Sequence, residues 1–395
     1  MKISNYSKQS IDHNDINEVV KTLKSKFLTK GKITLKFEKK IRSFCKSKFA
    51  CATINASSSL IIACKSLGVT NGDFVWTSNI TYIASINCGL HLGAKIDLID
   101  VDETNNICTV DLEKKLISAK KNKKLPKVIV VVHLSGLPCN LKKIKNLSKI
   151  YKFKIIEDAS HAFGSAYDKS KIGSCKFSDL TIFSFHPVKN ITTAEGGAIT
   201  TNSIELYKKL LLLRENGQDI SKINNIKFPT KYDVSLLGYN FRINEINSSL
   251  GISQINKVNK FISLKRIIAK RYFEELDLPE IILPEKDILT LSALHLFIIK
   301  IDFKKLKINK YELIKILKKK NITVNCHYIP LNKFDIIKRN IKNRNFKNSE
   351  KYYKEAISIP IYPDLSYIKQ SYIIKTLKDI ILSNRKKFYV RLFKI

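Results

Sequence analysis

Short β-branched runs alternate with amphipathic stretches over the first two-thirds of the chain. The runs KVIVVVHL, from Lys127, and YKFKIIEDA, from Tyr151, contain successive apolar positions, which is typical of strands buried on both faces. Similar runs are DFVWTS, KIDLIDVD, DLTIFSFH and GGAITTN. Helical patterns separate them, near residues 59–67, 82–92, 111–121, 141–151 and 204–215. This alternation predicts a mostly parallel sheet flanked by helices.

The pattern changes after a long helical stretch from residue 243 to about residue 272. Beyond it, LHLFIIKID, a helix near residues 309–320, TVNCHYI and a terminal helix indicate a smaller α+β unit. A chain of 395 residues exceeds the roughly 250–300 residues that one hydrophobic core usually serves. We therefore expect a large α/β domain over residues 1–256 and a small C-terminal α+β domain over residues 257–395.

Composition indicates a globular protein without a membrane segment. Hydrophobic residues make up 44% of the chain, enough for a packed interior, and neither a signal-peptide stretch nor an apolar run of membrane-span length is present. The eight cysteines are scattered without a CxxC pair, which favours reduced thiols over disulfides or a zinc site. We expect a cytoplasmic protein without a metal.

The formal charge of +37 first suggests a nucleic-acid partner, because phosphate backbones attract basic faces. The lysines are, however, spread along the whole chain, arginine is scarce, and no aromatic-interleaved basic motif is present. We therefore predict no nucleic-acid partner, although the excess charge favours an anionic substrate such as a nucleotide diphosphate.

Candidate reactive residues follow the predicted strands, and ligands of open α/β sheets bind outside the carboxyl ends of strands. Asp158 ends one strand; it either caps a following helix or faces a cationic pyridine nitrogen. His161 lies beside the same ligand or is structural. Lys189 follows the next strand, where partial desolvation would lower its pKa and allow its amine to condense with an aldehyde. Ser184, at the same strand end, could donate to a phosphate.

Three other places carry polar or aromatic side chains whose role the pattern leaves open. The segment INASSSLIIACKSLG has serines, Ser57 among them, at a helix start, where they either bind phosphate or cap the helix. Tyr82, at a strand-to-helix junction, either stacks on a flat ligand or belongs to the core. Asn240 and Arg242, in GYNFRINEI, either reach an anion or cap the following helix.

The blocks EDASHAFGSAY, FSFHPVKNITTAEGGA and GYNFRINEI, in this order and separation, resemble the DegT/DnrJ/StrS-type sugar aminotransferases, and the match covers nearly the whole chain. This resemblance implies the fold of aspartate aminotransferase (pyridoxal-phosphate-dependent transferase fold type I) and pyridoxal 5'-phosphate as cofactor. Lys189 would form the Schiff base and shuttle the proton between substrate and cofactor. Asp158 would pair with the pyridinium nitrogen.

The resemblance also implies the remaining contacts of the cofactor. Tyr82 would stack on the ring, and Ser184 would meet the phosphate. Ala56 and Ser57 match the helix-start phosphate site, where many relatives have glycine and threonine. His161 replaces the glutamine that some members place beside the ring hydroxyl.

Two residues imply a second subunit. Asn240 matches a position that reaches the cofactor phosphate of the neighbouring subunit, so the family pattern implies a homodimer with shared active sites. Arg242 would join it there and hold an anionic group.

Within the family, FHPVKNITTAEGG and NCHYIPL are most similar to the branch of pseudaminic acid biosynthesis. That branch transfers an amino group from L-glutamate to C4 of a UDP-linked 4-keto-6-deoxy-N-acetyl-hexosamine, giving UDP-4-amino-4,6-dideoxy-N-acetyl-L-altrosamine. His186, His327 and Tyr328 would then lie on the sugar or nucleotide side of the pocket.

Other interpretations compete with this one. Sister enzymes act on the epimeric UDP sugar or on thymidine-linked sugars. A sugar dehydratase branch carries histidine at the position of Lys189, so the lysine argues against it. A non-catalytic regulatory protein that binds the cofactor, or a nucleic-acid-binding protein driven by charge, fits less well.

Overall fold

The computed structural model describes residues 6–219, 233–341 and 344–386. Within these residues a central sheet has seven strands. They are β1 (Phe49–Thr53), β2 (Phe74–Ser78), β3 (Lys95–Ile99), β4 (Val128–Val132), β5 (Lys154–Asp158), β8 (Leu180–Ser184) and β9 (Gly197–Thr201), and a small hairpin of β6 (Ala166–Tyr167) and β7 (Ser170–Lys171) precedes β8. The order is β1-β9-β8-β5-β4-β2-β3. Strands β3, β2, β4, β5 and β8 pair in parallel, whereas β9 is antiparallel to both β8 and β1, so the predicted mostly parallel sheet is confirmed.

Helices cover both faces of this sheet, so every residue of β4 and β8 is buried. The helices of this part are α1 (His13–Leu23), α2 (Lys32–Cys45), α3 (Ala56–Ser66), α4 (Ala84–Leu90), α5 (Thr109–Lys121), α6 (Leu141–Tyr151), α7 (Ile204–Arg214) and α8 (Glu245–Ile255). The five helices predicted between the strands are confirmed. Within the described ranges, no helix has the length and apolar character needed to cross a membrane.

Two local features differ from the sequence expectations. The strand β1 was not predicted, because its short sequence FACAT has no alternation; it exists through antiparallel pairing with β9. The helical pattern from 243 to 272 is two helices, α8 and α9 (Val258–Glu275). They meet at Lys257, whose Nζ lies 2.6 Å from the buried carboxylate of Asp15. A tertiary ion pair of this kind leaves no mark in the local periodicity.

The C-terminal part contains an antiparallel sheet of β10 (Ile281–Ile282), β11 (Phe297–Ile301) and β12 (Ala356–Ile359). Its helices are α10 (Ile288–Leu291), α11 (Lys310–Lys319), α12 (Asp335–Lys338), α13 (Lys347–Glu355) and α14 (Tyr367–Ser383). The segment TVNCHYI forms only an isolated bridge, from Asn325 to Ser358. The helix α9 adds Phe261 to the core of the large sheet and Tyr272 to the C-terminal core. The domain boundary between residues 256 and 257 stays a prediction.

Candidate active site

A cavity of about 650 Å³ lies where the parallel strands of the large sheet end. The last residues of β5 and β8, Asp158 and Ser184, both line it. The other walls come from the start of α3, the loop after β2, the N-terminal segment at Tyr6 and the C-terminal segment 325–329. The cavity therefore occupies the ligand position of an open α/β sheet, closed on one side by the C-terminal part.

Ten of the twelve predicted site residues line this cavity. They are Ala56, Ser57, Tyr82, Asp158, His161, Ser184, His186, Lys189, His327 and Tyr328. Residues more than 270 positions apart in sequence are thus brought to one place.

Lys189 lies on a turn after β8, where its backbone amide donates to the carbonyl of His186 at 2.9 Å. The side chain is partly exposed into the cavity. Burial by the surrounding protein lowers the pKa of the Lys189 amine to about 8, although the negative charge of Asp158 opposes this shift. The amine can therefore be neutral at a moderately alkaline pH, as a nucleophile or a base must be.

Asp158 is 5% exposed, and both of its carboxylate oxygens accept hydrogen bonds from hydroxyl groups. The Ser85 hydroxyl donates to Oδ2 at 2.7 Å, and the Ser160 hydroxyl donates to Oδ1 at 2.6 Å. The segment after Asp158 forms turns rather than a helix, so the helix-cap interpretation is wrong. In the described part of the chain, no basic side chain lies within 4.0 Å of the carboxylate. A buried carboxylate in such a place needs a cationic partner.

The start of α3 has two backbone donors on the cavity wall that have no partner among the described residues. Asn55 caps this helix, because its side chain accepts from the Ser58 amide at 2.8 Å, so capping by the serines is wrong. The amides of Ala56 and Ser57 precede the first intrahelical hydrogen bonds and can donate to an anion. Gly197 allows this arrangement, since a Cβ there would lie 2.5 Å from the carbonyl carbon of Asn55.

An aromatic and histidine wall lies opposite. Tyr82 is 58% exposed and is not a core residue. Tyr328 shares a hydrogen bond of 3.1 Å between its hydroxyl and Nε2 of His161. Within the described residues, Nδ1 of His161 is buried and has no hydrogen-bond partner. Burial, and then the charges of Lys189 and His327, lower the pKa of His161 well below its usual value, so the ring is neutral.

His327 and His186 differ in exposure. His327 is buried, with Nδ1 2.8 Å from the Ser358 hydroxyl. Burial and the charge of Lys189 lower its pKa to about 3. His186 is exposed, and its pKa is lowered by partial burial and by Lys189, against the effect of Glu195. Both rings are therefore neutral at neutral pH and can donate or accept hydrogen bonds.

Asn240 and Arg242 do not line the cavity of their own chain. Asn240 is exposed and forms an isolated bridge with Glu215. Arg242 donates from Nη1 to the Glu215 carboxylate at 2.9 Å. Neither residue caps α8, since Asn244 does, so the capping interpretation is wrong. A contact with a neighbouring subunit stays a prediction for both residues.

Sequence reasoning did not identify three residues of the site. Ser160 could have been found, because Asp-x-Ser is the spacing of a side-chain turn. Ser85 lies on α4, and Tyr6 packs its ring edge-on at 4.6 Å from His327. Only the tertiary fold brings Ser85 to Asp158 and Tyr6 to the cavity.

The residues present fit pyridoxal phosphate, a flat pyridine ring with an aldehyde, a hydroxyl and a phosphate arm. Lys189 offers an amine to the aldehyde, and Asp158 offers a carboxylate without a cation to the ring nitrogen. The unpartnered Nδ1 of His161 suits the ring hydroxyl. The start of α3, together with the Ser184 hydroxyl, suits the phosphate.

Comparisons with known proteins agree with a site for pyridoxal phosphate. The model of the DegT/DnrJ/EryC1/StrS aminotransferase family matches residues 9–378. The UDP-4-amino-4,6-dideoxy-N-acetyl-beta-L-altrosamine transaminase of Campylobacter jejuni (strain 81-176) is 35% identical over 97% of this chain and 99% of that protein.

Two solved structures are similar over almost their whole length. The Helicobacter pylori aminotransferase PseC, involved in the biosynthesis of pseudoaminic acid, has a TM-score of 0.90 at 29% identity, over 97% of this chain and 100% of that one. The Streptococcus pneumoniae putative sugar aminotransferase Spr1654, in its PLP form, has a TM-score of 0.86 at 27% identity, over 97% and 99% of the two chains. The chain therefore belongs to the DegT/DnrJ/EryC1/StrS aminotransferase family and is a pyridoxal-phosphate-dependent sugar aminotransferase.

Proposed function

We propose that this enzyme transfers an amino group from L-glutamate to C4 of a UDP-linked 4-keto-6-deoxy-N-acetyl-hexosamine. The observation that carries the proposal is the placement of the Lys189 amine and the Asp158 carboxylate in one cavity of about 650 Å³. Similarity to the altrosamine transaminase of Campylobacter jejuni supports the choice of acceptor. The excess of positive charge suits a substrate with two phosphates.

Lys189 acts as the nucleophile that anchors the cofactor and then as the base and acid that moves a proton. With a pKa of about 8, roughly half of the amines are neutral at pH 8, whereas an ordinary lysine is neutral in well under about 1% of molecules. Once displaced by the amino donor, the free amine takes the proton from the α-carbon of glutamate. In the second half of the reaction it delivers a proton to C4 of the sugar.

When bound, pyridoxal phosphate supplies an electron sink for the negative charge that develops on the reacting carbon. Asp158 keeps that sink effective, because its carboxylate favours a protonated ring nitrogen. Ser85 and Ser160 hold the carboxylate through both oxygens, so that it keeps one orientation. Tyr82 would cover a face of the ring, while Ser184, Ala56 and Ser57 would hold the phosphate.

The sugar lies against the C-terminal wall of the cavity in this proposal. His186, His327 and Tyr328 are neutral hydrogen-bonding groups there, which suits the hydroxyl, amide and carbonyl groups of an N-acetyl sugar. Asn240 and Arg242 complete the site of the neighbouring subunit in a homodimer. Arg242 would bind an anionic group of a substrate.

The test is the visible absorbance of the purified enzyme with its cofactor, followed through both half-reactions. L-glutamate is expected to bleach the band of the lysine-bound cofactor, and the UDP-linked 4-keto-6-deoxy-N-acetyl sugar is expected to restore it. Lys189→Arg is the control, since it keeps the charge but cannot carry the cofactor in this way.

The same absorbance assay with matched acceptor sugars identifies the substrate. If the epimeric UDP sugar or a thymidine-linked 4-keto sugar restores the band and the proposed sugar does not, the enzyme has the activity of a sister enzyme of the family. Bleaching by another amino acid and not by glutamate would refute the donor. A band that no keto sugar restores would refute the acceptor class.

A further inference from the structure

The C-terminal wall of the cavity is a strap of chain, residues 325–332, that connects the small sheet with the large one. At its first end, Asn325 pairs with Ser358 of β12 through backbone hydrogen bonds of 3.2 and 2.7 Å. At its last end, Leu331 is fully buried in a hydrophobic cluster of the large sheet. Residues 325–329 of the strap line the cavity. The position of this wall therefore depends on how both ends are held.

Asn79, in the loop after β2, holds the last end of the strap through its backbone and its side chain. Its carbonyl oxygen accepts from the Leu331 amide at 2.9 Å. Its Oδ1 accepts from the backbone amide of Asn332 at 3.0 Å, and its Nδ2 donates to Oδ1 of Asn332 at 3.0 Å. Asn79 is 0% exposed, so these hydrogen bonds lie in a region of low dielectric, where they are stronger than in water.

The same loop also makes apolar contacts with the strap. Ile80 belongs to a buried hydrophobic cluster against which the Tyr328 ring packs. The centroids of the Tyr82 and Tyr328 rings lie 6.0 Å apart. Apolar contacts are not directional and tolerate sliding, whereas the donor and acceptor of a hydrogen bond must be aligned. The hydrogen bonds of Asn79 therefore fix the register between the loop and the strap.

Asn79 lies outside the cavity, since it is not among the described residues that line it. Its side chain contacts the strap, and the strap carries His327 and Tyr328, which the proposed function places on the sugar side. The groups assigned to the cofactor phosphate, at the start of α3 and at the end of β8, lie on other elements. A change at Asn79 is therefore transmitted to the sugar side of the pocket.

We propose that Asn79 is a positioning residue for the sugar acceptor, because it fixes the last end of the strap and with it the shape of the sugar side. This inference rests on the proposed function, in which the strap contacts the sugar. Without the Asn79 side chain, Leu331 still anchors the strap by its burial, but the Asn332 end loses two directional contacts. The strap must then be ordered when the sugar binds, which weakens sugar binding.

The experiment follows the visible band through the two half-reactions separately, at increasing concentrations of each substrate. Asn79→Ala should raise the half-saturating concentration of the UDP-linked 4-keto-6-deoxy-N-acetyl sugar by about 10-fold, the effect of one or two lost hydrogen bonds. The maximum rate with the sugar, and both constants for bleaching by glutamate, should stay within about twofold of the wild type. An unchanged band in the resting enzyme checks that the contact between Tyr328 and His161 keeps the cofactor side intact.

Three further variants separate the side-chain contact from general effects. Asn332→Ala removes one of the two contacts and should raise the half-saturating sugar concentration by about threefold. Asn332→Asp keeps an acceptor for Nδ2 of Asn79 and should stay within about twofold of the wild type. Asn340→Ala is the matched control, since this exposed amide donates only to the Ile336 carbonyl, at 2.7 Å. It should leave both half-reactions unchanged.

Three outcomes would overturn the inference. They are a wild-type dependence on sugar in both alanine variants, an equal loss in the two half-reactions, and an Asn332→Asp variant as impaired as Asn332→Ala. Thermal unfolding checks each variant, and Asn332→Ala provides the test if Asn79→Ala fails to fold. If no keto sugar restores the band of the wild type, the proposed function fails and this inference fails with it. If the wild type responds to the sugar and the alanine variants respond in the same way, only this inference fails.

Discussion

The two faces of β5 at its carboxyl end carry adjacent carboxylates with different surroundings. Glu157, 2% exposed, points away from the cavity, and one of its oxygens lies 2.8 Å from Nε2 of His133. The Ser178 and Thr181 hydroxyls donate to the other. Asp158 points into the cavity and accepts from the Ser85 and Ser160 hydroxyls and, at 3.2 Å, from the Ser160 backbone amide, all of which are neutral donors. Glu157 therefore has donors for both of its oxygens within the closed protein interior, whereas Asp158 faces a cavity that can hold a ligand.

This difference separates a structural carboxylate from a functional one. A hydroxyl orients a carboxylate but does not neutralise it, so Asp158 keeps a charge to offer to the ring nitrogen of the cofactor. Because Nδ1 of His133 accepts from the Cys139 amide at 3.2 Å, its proton lies on Nε2 and is donated to Glu157. Hydrogen bonds within the protein thus complete the Glu157 face, whereas in the proposed function the cofactor would complete the Asp158 face.

The largest loss of activity is expected on the cavity face, when Lys189 is replaced. Lys189→Arg should lower kcat by about 10⁴-fold or more, since a guanidinium stays charged and cannot accept the proton. The melting temperature should change little, because the side chain lies at a cavity. Single-turnover assays with glutamate measure the first effect and thermal unfolding the second. Turnover near that of the wild type would refute the role of Lys189.

Variants of Asp158 and Glu157 test the comparison between the two carboxylates directly. Asp158→Asn should lower kcat by about 10³-fold with little loss of stability, because an amide does not hold a proton on the ring nitrogen. Glu157→Gln should have the reverse effect: a loss of about 2 kcal/mol in the free energy of unfolding, since its amide NH2 would face buried donors, with kcat changed only a few-fold. Steady-state kinetics and urea unfolding of both variants measure this. Equal kinetic effects at both positions would contradict the separation of roles.

A smaller effect is expected from pH on cofactor loading. The Lys189 pKa is lowered to about 8, and only the neutral amine, present above that pH, attacks the aldehyde. The rate at which cofactor-free enzyme develops the visible band should therefore rise about 50-fold from pH 6 to pH 8 and then level off. Stopped-flow absorbance measures it. A rate that is constant over this range would show that the amine titrates elsewhere.

The sequence predicted the residues that stand in contiguous motifs. Asp158 and Lys189 follow strands whose apolar runs are unambiguous, and the resemblance gave them roles. The partners that distinguish Asp158 from Glu157 were less accessible: Ser85 and His133 lie on other elements, and pairing across elements has no periodic signal. Asn79 was equally hidden, since its side chain contacts a residue that is 253 positions away in the sequence. The predicted contacts of Asn240 and Arg242 would need a second subunit, which a single chain does not supply.

The smallest effect is expected at the hydroxyls that orient Asp158. Ser85→Ala and Ser160→Ala each remove one donor, at 2.7 and 2.6 Å, and leave the other in place. Each should lower kcat by about 10-fold or less, since a hydrogen bond to a charged group contributes about 1.5–3 kcal/mol and part of it is replaced by water. The double variant should lose more than the product of the two, because only the 3.2 Å contact from the backbone amide of residue 160 then orients the carboxylate. Steady-state kinetics of the wild type, the two single variants and the double variant form a double-mutant cycle. Strict additivity of the changes in activation free energy would show that the two serines do not act together.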